Sequence, residues 1–209
     1  MIFTGKRDIS SSNIIEEISE EIEYDDCTYP PSDDSFLGMS LILELARRHY
    51  EFSKVLDLCT GTGILALAAH RLLDPDLLVA VDVSPYAVQD ARRNLPSEIL
   101  VIRCNLAECI RGTWDLVIVN PPYLPYTDDV DNCEGFLVNT WRDTGVLRRA
   151  CLQSANIADS VLFIYSSLSP FDVEECLSSR GFDIKLKLAR GFFMEKIYAI
   201  YAERKFRET

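Results

Sequence analysis

Four consecutive residues, Asn120-Pro121-Pro122-Tyr123, carry the most pointed chemistry in this sequence. Two successive prolines lack an amide N–H and hold φ near about −65°, so the segment is stiff and its carbonyls have no donors of their own beside them. It is a preset array of acceptors. A planar amide or exocyclic amino nitrogen carries two hydrogens and a delocalised lone pair, and therefore attacks poorly. If the Asn120 side-chain oxygen and the Pro121 carbonyl each accept one of those hydrogens, the nitrogen is positioned and can pyramidalise towards an electrophilic methyl group. Tyr123 can cover the flat face of such a group.

A second cluster lies upstream, where the apolar run Val55-Leu56-Asp57-Leu58 ends in Cys59-Thr60-Gly61-Thr62-Gly63. Glycines in such a turn let the backbone approach a ligand closely. Asp82, nineteen residues past Gly63, ends the next apolar run beside Val83. A carboxylate there can accept hydrogen bonds from both hydroxyls of a ribose. Two cofactors compete for this pattern, a nicotinamide dinucleotide and S-adenosylmethionine. Cys59 and Gly61 spoil the frame of G-x-G-x-x-G, so the dinucleotide fingerprint is imperfect. The Asn120 to Tyr123 segment decides for S-adenosylmethionine and methyl transfer. On this reading Asp82→Ala weakens cofactor binding and leaves stability nearly unchanged.

These groups need elements that bring them together. Strands are expected at 55–58, 77–82, 99–103, 114–120 and 161–165, apolar without alternation and separated by helices at 64–73, 84–95 and 146–158. That pattern argues for a parallel sheet buried on both faces. Ser84-Pro85 and Ser169-Pro170 read as helix starts. Segments 182–190 and 194–203, joined by Gly191-Phe192-Phe193, read as a closing hairpin that makes one strand antiparallel. The expected fold is α/β, a Rossmann-like seven-stranded, mostly parallel sheet with a C-terminal antiparallel hairpin and helices on both faces. Ahead of it, Ile14, Ile15, Ile18 and Ile22 mark a helix docked by one apolar stripe, and a buried helix from about Phe36 runs to about His49. The connection from Pro121 to about Gly145 is longer than structureless loops usually are, which marks it as functional.

At 209 residues the chain fits one domain, with 1–50 carrying the N-terminal helices and the motif at the pocket mouth, and 51–209 the catalytic core. No apolar run approaches the roughly 18 residues that span a bilayer, and the start lacks a signal-peptide core, so a cytoplasmic protein without a membrane partner is expected. Net charge −12 opposes a polyanionic ligand and suits a basic protein partner. The seven cysteines are odd in number and include no C-x-x-C pair, which reads as buried reduced thiols, with no metal site. His49 and His70 read as helix-surface residues, and Asp128, Asp129 and Asp131 as a solvated loop that attracts a basic substrate.

With those residues in view, the chain resembles the HemK-type class of S-adenosylmethionine methyltransferases, which modify the glutamine side chain in the Gly-Gly-Gln loop of peptide-chain release factors. It looks closest to the short archaeal and eukaryotic branch. The most specific part is Tyr29-Pro30-Pro31-Ser32-Asp33-Asp34-Ser35-Phe36, similar to that branch's Y-x-P-x-(E/D)-D-(S/T)-F motif. The resemblance implies that Tyr29 and Ser35 line the pocket, that Asp57 and Cys59 flank the methionine part of the cofactor, that Asp82 holds the ribose and that Asn105-Leu106 meets the adenine. Arg190 and Glu195 match R-x-x-x-x-E before the last strand. It also implies a class I release factor as substrate and a small zinc-binding activator subunit paired edge to edge with the third strand, at Glu98 to Ile102.

The chain departs from that pattern in three places. Cys59 replaces a glycine, which suits a position that does not need φ > 0. Asn105 replaces an aspartate and keeps an acceptor for the adenine amino group. Trp141-Arg142-Asp143-Thr144-Gly145 replaces W-x-G-G. The rival reading is an adenine N6-methyltransferase on DNA or RNA, opposed by the charge and the lack of a target-recognition domain. A lysine acceptor is a second alternative. A catalytically silent binding subunit is opposed by the intact Asp57, Asp82 and Asn120-to-Tyr123 set.

Overall fold

The computed structural model describes residues 11–123 and 145–205. Apolar runs of four to nine residues become strands, buried on both faces except for the edge strand Leu100–Arg103. They are β1 (Lys54–Leu58), β2 (Leu77–Asp82), β3 (Leu100–Arg103), β4 (Trp114–Val119) and β5 (Ala158–Ser166), followed by the longer β6 (Phe182–Gly191) and β7 (Lys196–Arg204). Together they form a seven-stranded sheet in the order β3-β2-β1-β4-β5-β7-β6. All pairs are parallel except those made by β7, which runs antiparallel to both β5 and β6. The expected architecture is the one observed.

Helices cover the sheet. α1 (Ser11–Glu20), α2 (Asp33–Arg47), α3 (Ile64–Leu73) and α4 (Pro85–Asn94) pack in succession against one another, while α5 (Val146–Ile157) and α6 (Val173–Ser179) pack on each other and on β4, β5 and β6. The apolar stripe of α1 docks as its spacing predicts, with Ile18 fully buried. Ser84 Oγ accepts from Ala87 N at 3.3 Å and Pro85 occupies the first turn, the capping that the sequence implies.

Several boundaries differ, two of them at helix ends that the sequence placed elsewhere. The last helix starts at Val173, because Asp172 accepts from Glu175 N at 2.9 Å and so caps it, while Ser169 Oγ accepts from Ser166 N in a turn. α2 stops at Arg47, and His49 lies beyond it at φ 59°.

The chain builds β1, β2 and β3 outward and then returns to place β4 on the other side of β1. At that switch point the loops after β1 and β4 diverge and leave a crevice at the carboxyl ends of the strands. In register, Leu58 faces Val81 and Val119. The turn at 59–63, Asp82 and Asn120 therefore leave the sheet at the same level, although they are far apart in sequence.

Candidate active site

The loops after β1, β2, β3 and β4, with residues 27–35, enclose a cleft of about 1170 Å³, its open mouth included. Of the residues expected to form a site, Tyr29, Ser35, Cys59, Thr60, Gly61, Asp82, Val83, Asn105, Leu106 and all four of Asn120 to Tyr123 lie on its wall. Asp57 and Gly63 do not. Gly63 caps α3 at φ 88° behind the wall, where a Cβ would come within 3.0 Å of Leu95.

Asp57 is fully buried and accepts from Thr60 Oγ1 at 2.6 Å, which braces the turn from behind. Burial, aided by the charge of Asp82 and opposed by the Thr60 hydroxyl, pushes its carboxyl up to about 7. The folded state thus keeps a proton that the unfolded chain releases near 3.8. Stability is expected to fall as pH rises between those values, by at most about 1.4 kcal/mol per pH unit or about 4 kcal/mol in all. Asp57→Asn should abolish that slope in thermal melts of the cofactor-free protein between pH 5 and 8. Parallel melting curves for the two proteins would exclude Asp57 as its source.

The turn itself is tighter than the sequence suggests. Cys59 has φ 60° and Gly61 has φ 55°. The expectation that Cys59 tolerates its place because no positive φ is needed is therefore incorrect. A side chain there costs about 1–2 kcal/mol, which the packed surroundings impose. Its thiol is pushed well above the usual cysteine range by burial and by the charges of Asp82 and Asp57, so it stays protonated. Asp82 is fixed by backbone donors, with Gly61 N 2.9 Å from Oδ2 and Ser84 N 2.9 Å from Oδ1. Burial raises its pKa and those N–H groups oppose the rise. Each oxygen retains a further lone pair for a ligand hydroxyl.

After β3, Asn105 Nδ2 donates to Glu108 Oε1 at 2.7 Å, which leaves Oδ1 as its acceptor, and Leu106 takes φ 50°. This turn corrects the reading of all cysteines as free thiols. Cys104 and Cys109 are joined as a disulfide across it, and Cys27 is also disulfide-bonded. The short spacing in a turn brings the sulfurs together without any paired-cysteine motif. Cys59, Cys151 and Cys176 are free.

Within the Tyr29-to-Phe36 motif, sequence reasoning assigned no role to Asp34, which is buried in the first turn of α2. Its Oδ1 accepts from Ser35 N at 2.6 Å and Ser35 Oγ at 3.1 Å, and its Oδ2 accepts from Tyr123 O–H at 3.0 Å and Asn120 Nδ2 at 3.4 Å. Because Asp34 takes the amide nitrogen of Asn120, Asn120 Oδ1 must face away from it. That oxygen is buried without a partner among the described residues. Burial, then the Asp34 charge, raises the Tyr123 phenol far above its usual range and keeps it a donor to Asp34.

A strap over α4 delivers Tyr29 to the cleft. Asn94 holds Glu23 O at 2.7 Å and Thr62 O at 2.9 Å, and Asp90 accepts from Asp25 N at 3.1 Å. From the other side, Arg190 reaches Asp33 at 2.8 Å and Glu195 accepts from Ser166 Oγ. The aspartates at 128–131 and the segment 141–144 lie outside the described residues. No helix among the described residues is long and apolar enough to cross a membrane.

Residues 37–139 match the family described as methyltransferase small domain. A protein of Methanocaldococcus jannaschii named putative protein N5-glutamine methyltransferase is 29% identical over 120 residues, which cover 55% of this chain and 58% of that one. The release factor glutamine methyltransferase of Corynebacterium glutamicum is 42% identical over 91 residues, covering 39% and 32% respectively. The chain thus spans less than two thirds of either relative. A chain of the E. cuniculi Mtq2–Trm112 complex, described as responsible for methylation of the eRF1 translation termination factor, superposes with a TM-score of 0.62 at 27% identity over 85% of this chain and 99% of that one.

Proposed function

We propose, from the match of residues 37–139 to the methyltransferase small domain, that this chain methylates the side-chain amide nitrogen of the glutamine in the Gly-Gly-Gln loop of a class I peptide-chain release factor. The observation that carries the reading is the buried Oδ1 of Asn120, a residue of the cleft wall, which has no partner among the described residues and is turned away from Asp34 by the hydrogen bond that its own Nδ2 makes. An orphaned acceptor costs about 1–3 kcal/mol unless a ligand supplies a donor, and a primary amide supplies two. The names of the similar proteins support glutamine as acceptor.

The donor set fits S-adenosylmethionine. Asp82 offers lone pairs to vicinal hydroxyls, Asn105 Oδ1 is free for an exocyclic amine, and Val83 and Leu106 supply apolar wall. Tyr29, Ser35, Cys59, Thr60 and Gly61 continue that wall. When bound, the cofactor supplies an electrophilic methyl on a positively charged sulfur. The residues of this chain do the rest. Asn120 Oδ1 and the Pro121 carbonyl accept the two amide hydrogens, which turns the nitrogen lone pair out of conjugation. The methylated nitrogen would be acidic and would lose one proton to solvent, so no histidine is needed as a base.

Asp82→Ala is expected to weaken S-adenosylmethionine binding by about 1.5–3 kcal/mol. The structure changes the expectation for stability, because the Gly61 and Ser84 N–H groups lose their acceptor, at a cost of about 1–2 kcal/mol. Calorimetry reads both quantities, and unchanged affinity would remove Asp82 from the ribose site.

A small zinc-binding activator subunit completes the proposal. β3 is an edge strand with Leu100 half exposed, which suits strand addition. The test offers labelled cofactor to the chain alone and to the chain with such a subunit, with three acceptors: a class I release factor, its Gln→Ala version and an adenine-containing oligonucleotide. Label in the intact release factor only is expected. Label in the Gln→Ala version or the oligonucleotide would sink the glutamine assignment, and full activity of a well-behaved solitary chain would sink the activator.

A further inference from the structure

Exposed apolar surface is not spread evenly over the described residues. Eight large apolar or aromatic side chains are exposed; three of them, Phe192, Phe193 and Met194, are consecutive, Leu168 follows the end of β5, and Tyr29 lines the cleft. Phe193 is completely exposed and Met194 is 79% exposed, both in the turn between β6 and β7. Phe192 N donates to Glu195 O at 2.7 Å and closes that turn, and the Arg190 guanidinium lies 6.0 Å from the Phe192 ring centre. The tip is therefore presented on a braced hairpin, with little further ordering required on binding.

The hairpin is also fixed in place against the cleft. Arg190 pairs with Asp33, next to Asp34, and Ser167 exchanges hydrogen bonds with Lys196 at 2.8 and 2.9 Å, which holds Leu168 against the base of the hairpin. The charge of Glu195, the residue that closes the turn, acts on both Tyr29 and Tyr123. The tip thus flanks the end of the cleft that holds Asn120 and Tyr123.

We propose that Phe192, Phe193 and Met194 form the docking surface for the protein substrate and seat an apolar side chain of the polypeptide beside its acceptor glutamine; this rests on the function proposed above. Continuity with the acceptor end of the cleft points to the substrate as occupant. Charge favours the substrate over the other candidates, since a second copy brings another −12 and an anionic membrane surface repels the chain. A basic polypeptide is attracted. A few aromatic anchors dominate most protein interfaces, so two solvent-exposed residues suffice for a large effect.

The test uses the full chain with Phe193→Ser and Met194→Ser combined, changes that touch no packed core. With an isolated class I release factor as the probe, the expected result is a KM at least about tenfold higher with kcat within about twofold. Thermal stability and S-adenosylmethionine affinity should equal those of the wild type. An unchanged KM in the variant, with an active wild type, overturns the surface and leaves the functional reading standing. Wild-type protein that binds the cofactor yet methylates no release factor overturns both. A wild-type dimer in sedimentation that the variant dissolves would assign the tip to self-association and overturn the proposal.

Discussion

Replacing Asn120 with alanine is expected to reduce turnover on a release factor by about 10² to 10³ while leaving S-adenosylmethionine affinity within a few-fold. The Asn120 amide is committed at its nitrogen to Asp34 and is unpartnered at its oxygen, so truncation removes the only acceptor this side chain offers to a substrate. Asn120→Asp is the sharper variant. It places a second carboxylate where an amide nitrogen now lies 3.4 Å from Asp34 Oδ2. Two carboxylates at that distance share a proton, and their second ionisation is shifted upward. The aspartate variant should therefore retain partial activity that fades as pH rises and the shared proton is lost. Single-turnover rates across pH check this. Near-wild-type rates for both variants would show that Asn120 merely ends a strand.

Asp34→Ala is expected to reduce turnover by about 10², the scale of a misplaced positioning group, although Asp34 has no part in the bond changes themselves. The common acceptor of Asn120 and Tyr123 disappears, and the Asn120 amide is freed to present its nitrogen where its oxygen is required. Removing buried partners also costs stability, about 1.5–3 kcal/mol for a charged hydrogen bond, so activity must be read on folded protein. A double-mutant cycle separates positioning from a general structural role. On an Asn120→Ala background, Asp34→Ala should cost little further activity, because the group it orients is already gone. Fully additive losses would show that Asp34 acts elsewhere.

Much of this protein follows from periodicity and punctuation. β1, α3, β2 and β4 lie where unbroken apolar runs and helical spacing put them, within a residue or so, because parallel strands covered on both faces cannot alternate polar side chains. Ser84-Pro85 starts its helix because capping is a local interaction. Chain order combined with the parallel preference is enough to bring the ends of β1, β2 and β4 to one level. Asn120, Asp82 and the glycine turn were therefore recognisable as one site.

Long-range pairings and backbone angles were not legible. Asp34 and Asn120 are 86 positions apart, and the Tyr29-to-Phe36 motif that contains Asp34 does not say which partner it meets. Only the docking of α2 near the end of β4 makes it the group that decides which way the Asn120 amide faces. The positive φ of Cys59 has no sequence signature, since the turn geometry is imposed by Thr60 N bonding to Val81 O at 3.0 Å and Gly61 N bonding to Asp82. The Cys104–Cys109 bond likewise depends on a turn that folds two sulfurs together. Apolar patterning is set residue by residue and determined the sheet, the crevice and the side chains around it. The orientation of a buried amide depends on which partner arrives from a distant helix, and that was decided only when the tertiary structure packed them together.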